Sequence, residues 1–237
     1  MTTTAPTILA TGLSRRFGDT IALDDVSIAI RPGESLAITG TSGSGKSTLL
    51  HCLAGIDVPD AGRVVLATRR GPKDVARMRG EQRAELRRTR FGFVFQQGLL
   101  IAELTAVENA ALPLLLTGRS RRDAERVAAG WLRALGLAGL EDRRLGQLSG
   151  GQVQRVAIAR AQVTAPDVVF ADEPTGALDP TTSLEVMHAL RTSVVGNGGS
   201  LVVVTHDPVV AAGCHRTVRI DRGRVLSDAV NPGERHR

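Results

Sequence analysis

The sequence of 237 residues predicts an α/β fold, in which short buried strands alternate with helices. The first observation behind this prediction is a glycine-rich segment that stands between an apolar strand at 35–39 and an apolar helix at 46–56. The second is a pair of continuous apolar strands, at 91–95 and 168–171, that end in polar or acidic side chains. Open α/β sheets bind ligands at the carboxyl ends of their strands. We therefore expect the functional residues to lie where these strands end.

The glycine-rich segment fits the pattern of a phosphate-binding loop, GxxxxGK[ST], in the strand–loop–helix context that the pattern requires. Its glycines let successive backbone N–H groups turn inward toward an anion, and the following helix adds the positive end of its dipole. Lys46 would reach the terminal phosphates, and Ser47 has its hydroxyl where such loops ligate Mg²⁺. We expect a nucleoside triphosphate to be bound by Gly40, Thr41, Ser42, Gly43, Ser44, Gly45, Lys46, Ser47 and Thr48.

Composition narrows the class of protein. No apolar stretch approaches the roughly 18 residues that span a bilayer, and residues 1–10 lack the pattern of a secretory signal peptide, so we expect a soluble chain that is not secreted. Cys52 and Cys214 are expected to be reduced structural thiols. The formal net charge of +6 could favour nucleic acid or anionic lipid, but an arginine-rich codon bias explains it as well. Five Phe and one Trp are too few for the stacking platforms of single-stranded nucleic-acid binders.

Strands are predicted on both sides of a turn near the amino terminus. Apolar residues alternate over 8–30, with the turn at 17–19. Phe17 either stacks on a purine ring or is a core aromatic residue of a strand. A further strand is expected at 62–67. The arginine-rich stretch 69–90 is expected to form one or two helices, whose charge is either an ordinary solvated face or a specific binding patch.

The middle of the chain, 104–145, is helical in pattern, and Pro113 marks either a kink or a helix start. Another helix is predicted to run from Ser149 to about Val163. Ser149 is a candidate N-cap with Gln152 three residues on, which is the spacing of a capping box. This helix start is either well capped or presents N–H groups to a phosphate. One apolar helical face is predicted from Ala124, Val127, Trp131 and Leu135.

The last third of the chain continues the alternation of helices and strands. A helix is predicted at 181–195, followed by strands at 200–205, 216–220 and 224–227. The polar tail from Asn231 is expected to be disordered.

Polar side chains follow three of the buried strands. Asp172 and Glu173 stand at the end of the strand 168–171, where adjacent carboxylates are costly unless a cation or a proton transfer accounts for them. With a phosphate loop upstream, Mg²⁺ and an attacking water are the natural partners. Gln96 and His206 follow two other strands. A single glutamine or histidine is usually structural, but these stand at the same end of the sheet as the carboxylates.

The ordered set of motifs resembles the ATP-binding subunit of an ABC transporter, over about residues 8–227. The set comprises the phosphate loop, LSGGQ at 148–152, the segment VVFADEP, GALD and TH. The resemblance implies a P-loop NTPase of the ABC type, with a β-rich N-terminal subdomain and an inserted α-helical subdomain. It implies a single nucleotide-binding domain over 1–237, whose parts are an ATP-binding core at 1–95 and 164–230, a helical subdomain at 96–163 and a tail at 231–237.

The resemblance also implies a role for each candidate residue of the ATP site. The phosphate loop would hold the phosphates, and Phe17, where most relatives carry tyrosine, would stack on adenine. Gln96 would reach Mg²⁺ and the attacking water, and Asp172 would hold Mg²⁺ through a water. Glu173 would polarise the attacking water as the catalytic base, and His206 would contact the γ-phosphate.

Members of this family complete each site with a second subunit. Asp179 would lie at the dimer interface. Two ATP molecules would be trapped between the subunits of a head-to-tail pair, here expected to be a homodimer, and closure of the pair would be the mechanical stroke. The residues that would act on the ATP bound by the other subunit are Ser149, Gly150, Gly151 and Gln152.

Three segments, FGFVFQQGLL, LTAVENAALPLLLTG and ADEPTGALD, are similar to the export branch that serves lipoprotein release, macrolide efflux and antimicrobial-peptide resistance. The similarity implies an ATPase that drives export or mechanotransmission through a separately encoded transmembrane permease, at the cytoplasmic face of the cell membrane, with ATP and Mg²⁺ and without nucleic acid. One alternative is a soluble ABC-type ATPase acting on nucleic acid or the ribosome, although such chains usually carry two cassettes or a coiled-coil insertion. The other is a regulatory ATPase that transports nothing.

Overall fold

The computed structural model describes residues 5–96 and 99–232, which divide into two compact units. The first unit takes in Met1–Arg87 and Ser200–Arg237, and the second unit is Arg88–Gly199. The predicted helical subdomain, 96–163, falls within the second unit, which extends further in both directions. None of the helices in the described ranges combines the length and the apolar character that crossing a membrane requires.

An antiparallel sheet of four strands forms one layer of the first unit, in the order β2-β1-β4-β5. Its central feature is the hairpin of β1 (Ile8–Phe17) and β2 (Thr20–Ile30), which confirms the predicted strands and turn. Alternate residues of both strands, such as Ile8 and Ala10, are buried, because the period of a strand is two. The sheet is completed by β4 (Ala61–Leu66) and β5 (Lys73–Asp74).

Four strands of a second sheet also belong to the first unit. In this sheet β3 (Ser35–Thr39) pairs in parallel with β8 (Ser200–Val204) on one side and with β9 (Arg216–Asp221) on the other. The edge strand β10 (Arg224–Val230) is antiparallel to β9. All five residues of β8 are buried, as expected of a parallel strand covered on both faces. The helices of this unit are α1 (Lys46–Leu53), α7 (Pro208–Ala212) and most of α2 (Gly80–Thr89).

A buried arginine joins three segments of the first unit. Arg216 is 3 % exposed, and its guanidinium donates to the Glu34 carboxylate at 2.6 Å, to the Asp228 carboxylate at 2.8 Å and to the backbone carbonyl of Ala29. Burial alone would lower the pKa of Arg216, but hydrogen bonds to Glu34 and Asp228 outweigh it and raise the pKa above its ordinary value. The Arg216 guanidinium therefore stays charged at every physiological pH.

Replacing Arg216 by methionine is expected to lower the free energy of unfolding by about 3–5 kcal/mol, because the buried Glu34 carboxylate would lose its buried cation and keep only its contacts with Arg31. Urea unfolding followed by circular dichroism measures this loss. The double variant Arg216→Met/Glu34→Gln should lose less than the sum of the two single losses, since it removes both charges together. A loss below about 1 kcal/mol for Arg216→Met would mean that the network contributes no more than an exposed ion pair.

Among its described residues, the second unit contains two parallel strands and four α-helices that lie wholly within it. β6 (Phe91–Phe95) pairs with β7 (Val168–Asp172) in a register that sets Phe91 opposite Val168 and Phe95 opposite Asp172. Helix α5 packs on β6, on α3 and on α6, and α3 packs on α4. The helices are α3 (Ala106–Leu116), α4 (Arg121–Ala134), α5 (Gly150–Gln162) and α6 (Pro180–Val195).

Two predictions for the helical region are corrected in part. Of the two alternatives for Pro113, the helix start is wrong, because Pro113 lies inside α3, which begins after Thr105 with a capping box of Thr105 and Glu108. The predicted apolar face at α4 is confirmed only in part: Ala124 and Leu135 are buried, but Val127 and Trp131 are half-buried. The α4 side chains that are buried are Ala124, Ala128 and Leu132.

The predicted start of a disordered tail at Asn231 is wrong. The Asn231 side-chain amide donates to the backbone carbonyls of Cys214 and Ala211 at 2.7 and 2.9 Å. The remainder of the predicted tail, residues 233–237, lies outside the described residues.

Cys52 and Cys214 are free and buried, as predicted. Burial raises the pKa of the Cys52 thiol to about 12, so the thiolate that reacts with oxidants is scarce at neutral pH.

Candidate active site

The phosphate loop lies in the first unit, between the end of β3 and the start of α1. Gly43 and Gly45 have φ of 75° and 103°, in the left-handed region that favours glycine. A β-carbon on Gly45 would also overlap the backbone carbonyl oxygen of Ala22 on β2. The loop can therefore bend sharply and lie directly against β2 only because glycine occupies this position.

The loop and the first turn of α1 form a site with the donors that an anion needs. Helix α1 begins with Lys46 after an N-cap glycine that offers no side chain, so no side-chain oxygen caps its first N–H groups. The Lys46 ammonium donates to the Thr41 carbonyl oxygen at 2.8 Å and is held within the loop. Ser44 Oγ is buried and has no hydrogen-bond partner among the described residues. The hydroxyl-bearing Ser47 stands exposed in the first turn.

Phe17 and His206 flank this loop within the first unit. Phe17 ends β1 and is 48 % exposed, so the alternative of a core aromatic residue is wrong. Its hairpin contacts the loop through Ala22, whose carbonyl lies against Gly45. His206 follows β8, which is the neighbour of β3, and the preceding Thr205 N–H donates to the Ile38 carbonyl oxygen at 3.1 Å. The exposed His206 thus stands at the same sheet edge as the loop.

In the second unit, Gln96, Asp172 and Glu173 stand together at the carboxyl ends of two paired strands. Phe95 is opposite Asp172 in the β6–β7 ladder, so Gln96 follows one strand where the two carboxylates end the other. Glu173 has φ of 46°, a left-handed conformation that is uncommon for residues other than glycine. A β-carbon on Gly176 would lie 2.9 Å from Gln96 Nε2, so the turn after Glu173 packs against the glutamine.

The LSGGQ segment forms the start of α5, and the predicted capping box is confirmed. Ser149 Oγ accepts from the Gln152 N–H at 3.3 Å, and Gln152 Oε1 accepts from the Ser149 N–H at 2.9 Å. Gly150 and Gly151 leave room for two side chains of the α6 region, Leu178 and Thr182 respectively. The exposed start of α5 therefore packs beside the start of α6.

Asp179 caps α6. Its carboxylate accepts from the Thr181 and Thr182 N–H groups, each at 3.1 Å. The pKa of Asp179 is lowered, first by its hydrogen bonds with Thr182 and then by the bond from Thr181. The predicted site residues thus form two sets: the phosphate loop, Phe17 and His206 in the first unit, and the remaining residues in the second.

One supporting residue was missed from the sequence. Gln154 is 3 % exposed, and its Nε2 donates to the Phe95 carbonyl oxygen at 2.9 Å, directly before Gln96. It lies on the face of α5 that also buries Ala157, Ile158 and Ala161. A glutamine among buried apolar positions at helical spacing was the available signal.

Comparison with known proteins decides the family. The family model described as "ABC transporter" matches residues 23–176. The chain belongs to the ABC transporter family. Among its relatives in this family, the lipoprotein-releasing system ATP-binding protein LolD of Chromohalobacter salexigens is 41% identical over 211 residues, which cover 89% of this chain and 87% of LolD. The macrolide export ATP-binding/permease protein MacB of Chromobacterium violaceum is 43% identical over 225 residues, which cover 93% of this chain but 34% of MacB. The chain therefore spans about a third of the length of the MacB relatives it matches.

Solved structures of ABC transporter cassettes share the fold. The chain matches the cassette MJ0796 with a TM-score of 0.83 and 36% identity, over 96% of this chain and 100% of that one, in a structure described as dimeric. A second MJ0796 structure, with a TM-score of 0.83 and 34% identity over the same shares of the two chains, is described as a dimer in a post-hydrolysis state bound to ADP and Pi. These matches confirm the predicted fold class: the chain is an ATPase cassette of the ABC type.

Proposed function

We propose that this cassette binds ATP between two copies arranged head to tail and hydrolyses it to drive a membrane partner. The observation that carries the proposal is the exposed start of α5, where Ser149 and Gly150 present a helix N-terminus. A helix N-terminus binds phosphate through its N–H groups and dipole. A cassette of the same fold that is described as a dimer with ADP and Pi supports the pairing.

The first unit would hold the nucleotide. The N–H groups of the loop and of the first turn of α1 would bind the phosphates, with the Lys46 ammonium on the terminal ones. The exposed Phe17 ring would stack on the adenine base. His206, exposed beyond β8, would contact the γ-phosphate.

Magnesium fits the residues available, because their ligand atoms are all oxygens. The Ser47 hydroxyl, the Asp172 carboxylate and the Gln96 amide oxygen would hold the ion, and oxygen is the ligand that Mg²⁺ prefers. When bound, the ion would neutralise charge on the phosphates.

Glu173 would act as the general base on the attacking water. Its backbone is held in a left-handed conformation directly after Asp172, and the turn that follows is fixed by the Gly176 N–H, which donates to the Glu173 carbonyl oxygen at 3.1 Å. A base fixed in this way can take the proton of a water aligned with the γ-phosphate, and the donors of the partner's Ser149 and Gly150 would stabilise the charge that develops there. Asp179, at the neighbouring start of α6, would lie at the interface of the pair.

The membrane partner would be a separately encoded permease, with the cassette at the cytoplasmic face of the membrane. LolD is named as the ATP-binding protein of a lipoprotein-releasing system, and MacB as an ATP-binding/permease protein. Both names combine ATP binding with further machinery, and this chain matches 87% of LolD and 34% of MacB. We therefore propose export or mechanotransmission as the class of work and leave nucleic acid out of the mechanism.

A pull-down identifies the partner. Tagged Glu173→Gln protein is incubated with ATP in detergent-solubilised membranes of its own source, and captured proteins are identified by mass spectrometry, with a matched sample lacking ATP. We expect a multi-span membrane protein in stoichiometric amount. Recovery of ribosomal or nucleic-acid proteins without a membrane protein would favour the soluble ATPase instead.

A further inference from the structure

One face of the Phe17 ring is covered by a neighbouring arginine. The guanidinium carbon of Arg15 lies 4.7 Å from the centroid of the Phe17 ring, within the range of a cation–π contact. The two residues are two positions apart at the end of β1. The Arg15 side chain is 25 % exposed, and its Nε is buried without a hydrogen-bond partner in the described part of the chain. Arg15 is thus packed beneath the ring rather than extended into solvent.

Asp60, the residue directly before β4, fixes this arginine. Its carboxylate accepts from Arg15 Nη1 at 2.7 Å through one oxygen and from the Arg16 backbone N–H at 2.7 Å through the other. The Asp60 N–H in turn donates to the Ser14 carbonyl oxygen at 2.8 Å, at the start of β4. Asp60 therefore has three contacts with the last residues of β1. Two of them are to backbone groups, which cannot move without disturbing the sheet.

The Asp60–Arg15 pair persists across the working range of pH. The pKa of the Asp60 carboxyl is lowered, first by the hydrogen bond from the Arg16 N–H and then by the bond from Arg15. Because the pKa is lowered in the folded state, the ionised carboxylate stabilises the fold fully above the unfolded-state pKa of about 3.9. This stabilisation is lost only as pH falls through the folded-state pKa. Between pH 6 and 8 the pair is an invariant part of the site.

We propose that Arg15 and Asp60 are positioning residues that hold the Phe17 ring for the nucleotide base, with Arg15 covering one face and the base taking the other. This inference rests on the proposed stacking role of Phe17. A phenyl ring has no hydroxyl through which it could be fixed, so an exposed Phe17 depends on packing to hold its orientation. Ordering the ring before the base arrives reduces the entropy lost on binding, and a cation on the far face draws electron density from the ring that the base contacts.

The test compares ADP with pyrophosphate, which has the same diphosphate but no base, by isothermal titration calorimetry in the presence of Mg²⁺. Arg15→Gln and Asp60→Asn are each expected to weaken ADP binding about two- to fivefold, which is the range of a cation–π contact at an exposed site, and to leave pyrophosphate binding unchanged. In a Phe17→Leu background neither change should weaken ADP further. The ADP affinity of Arg15→Lys should lie between that of the unaltered protein and that of Arg15→Gln, because a lysine keeps the charge but loses the planar fork.

Arg16→Gln is the matched control, since it removes a neighbouring positive charge from the same strand without removing the contact with Phe17. It should leave ADP binding unchanged. The proposal is overturned if Arg15→Gln weakens pyrophosphate as much as ADP, or if its effect survives in the Phe17→Leu background, since Arg15 would then act through charge alone. If Phe17→Leu itself binds ADP as tightly as the unaltered protein, the base does not stack on Phe17. That result would overturn both this inference and the stacking role in the proposed function. Normal pyrophosphate binding verifies that each variant is folded.

Discussion

Replacing Glu173 by glutamine is expected to slow ATP hydrolysis by at least about a hundredfold while leaving ATP binding nearly unchanged. The substitution keeps the shape of the side chain and removes only the carboxylate that would take the proton of the attacking water. The preceding Asp172 and the phosphate loop are untouched, so the nucleotide is still held. Because ATP then stays intact, the variant should accumulate as a dimer in ATP but not in ADP.

Steady-state phosphate release and size-exclusion chromatography with light scattering measure the two effects. Glu125→Gln is a suitable control, because Glu125 pairs with the exposed Arg121 on α4, an ion pair of small expected energy. That variant should hydrolyse ATP at the normal rate. Hydrolysis by Glu173→Gln at the unaltered rate would remove Glu173 from the role of catalytic base.

Replacing Ser149 by arginine is expected to abolish ATP hydrolysis while the isolated chain binds ATP almost normally. Ser149 stands at the exposed start of α5, and we propose that this surface meets the nucleotide held by the other copy. A long cationic side chain there would displace the hydroxyl and N–H donors from the γ-phosphate at that site, while the other face of the chain stays free to pair. Nucleotide affinity of the monomer, measured with ADP by calorimetry, should change less than about threefold, whereas phosphate release should fall to background.

The control for this variant must account for the loss of a helix cap, which costs about 1 kcal/mol of stability. Ser120 caps α4 in the same unit, through a hydrogen bond from the Asp123 N–H at 3.2 Å. Ser120→Arg therefore removes a comparable cap and adds the same side chain, and it should retain hydrolysis. Weak ADP binding by monomeric Ser149→Arg would count against the head-to-tail arrangement.

The sequence predicts the strands, and the loop between β3 and α1, well because their signals are local. The alternation in β1 and β2, the apolar runs of β3, β7 and β8, and the capping box at Ser149 each depend on residues close together in the chain. Each of these was confirmed, with boundaries that shift by a few residues. The LSGGQ segment and the carboxylates after β7 were also visible at this level, although their roles came from resemblance to a family.

The features that the sequence did not predict depend on partners far away in the chain. Asn231 is ordered by carbonyl groups of 211 and 214, and Asp60 fixes Arg15 from 45 residues away. Trp131 belongs by periodicity to an apolar face, but Ala128 and Leu132 are buried beside it and the indole itself is half-buried. Tertiary contacts of this kind override local propensity and cannot be derived from spacing alone.

Mixing two inactive variants tests the head-to-tail account most directly. The two variants are mixed in equal amounts so that mixed pairs form. In a mixed pair, one site combines the phosphate loop and Glu173 of the Ser149→Arg chain with the intact Ser149 of the Glu173→Gln chain. The other site carries both defects. The account predicts that the mixture hydrolyses ATP although neither variant does so alone. A mixture as inactive as its components would contradict it, because each site would then be built from a single copy.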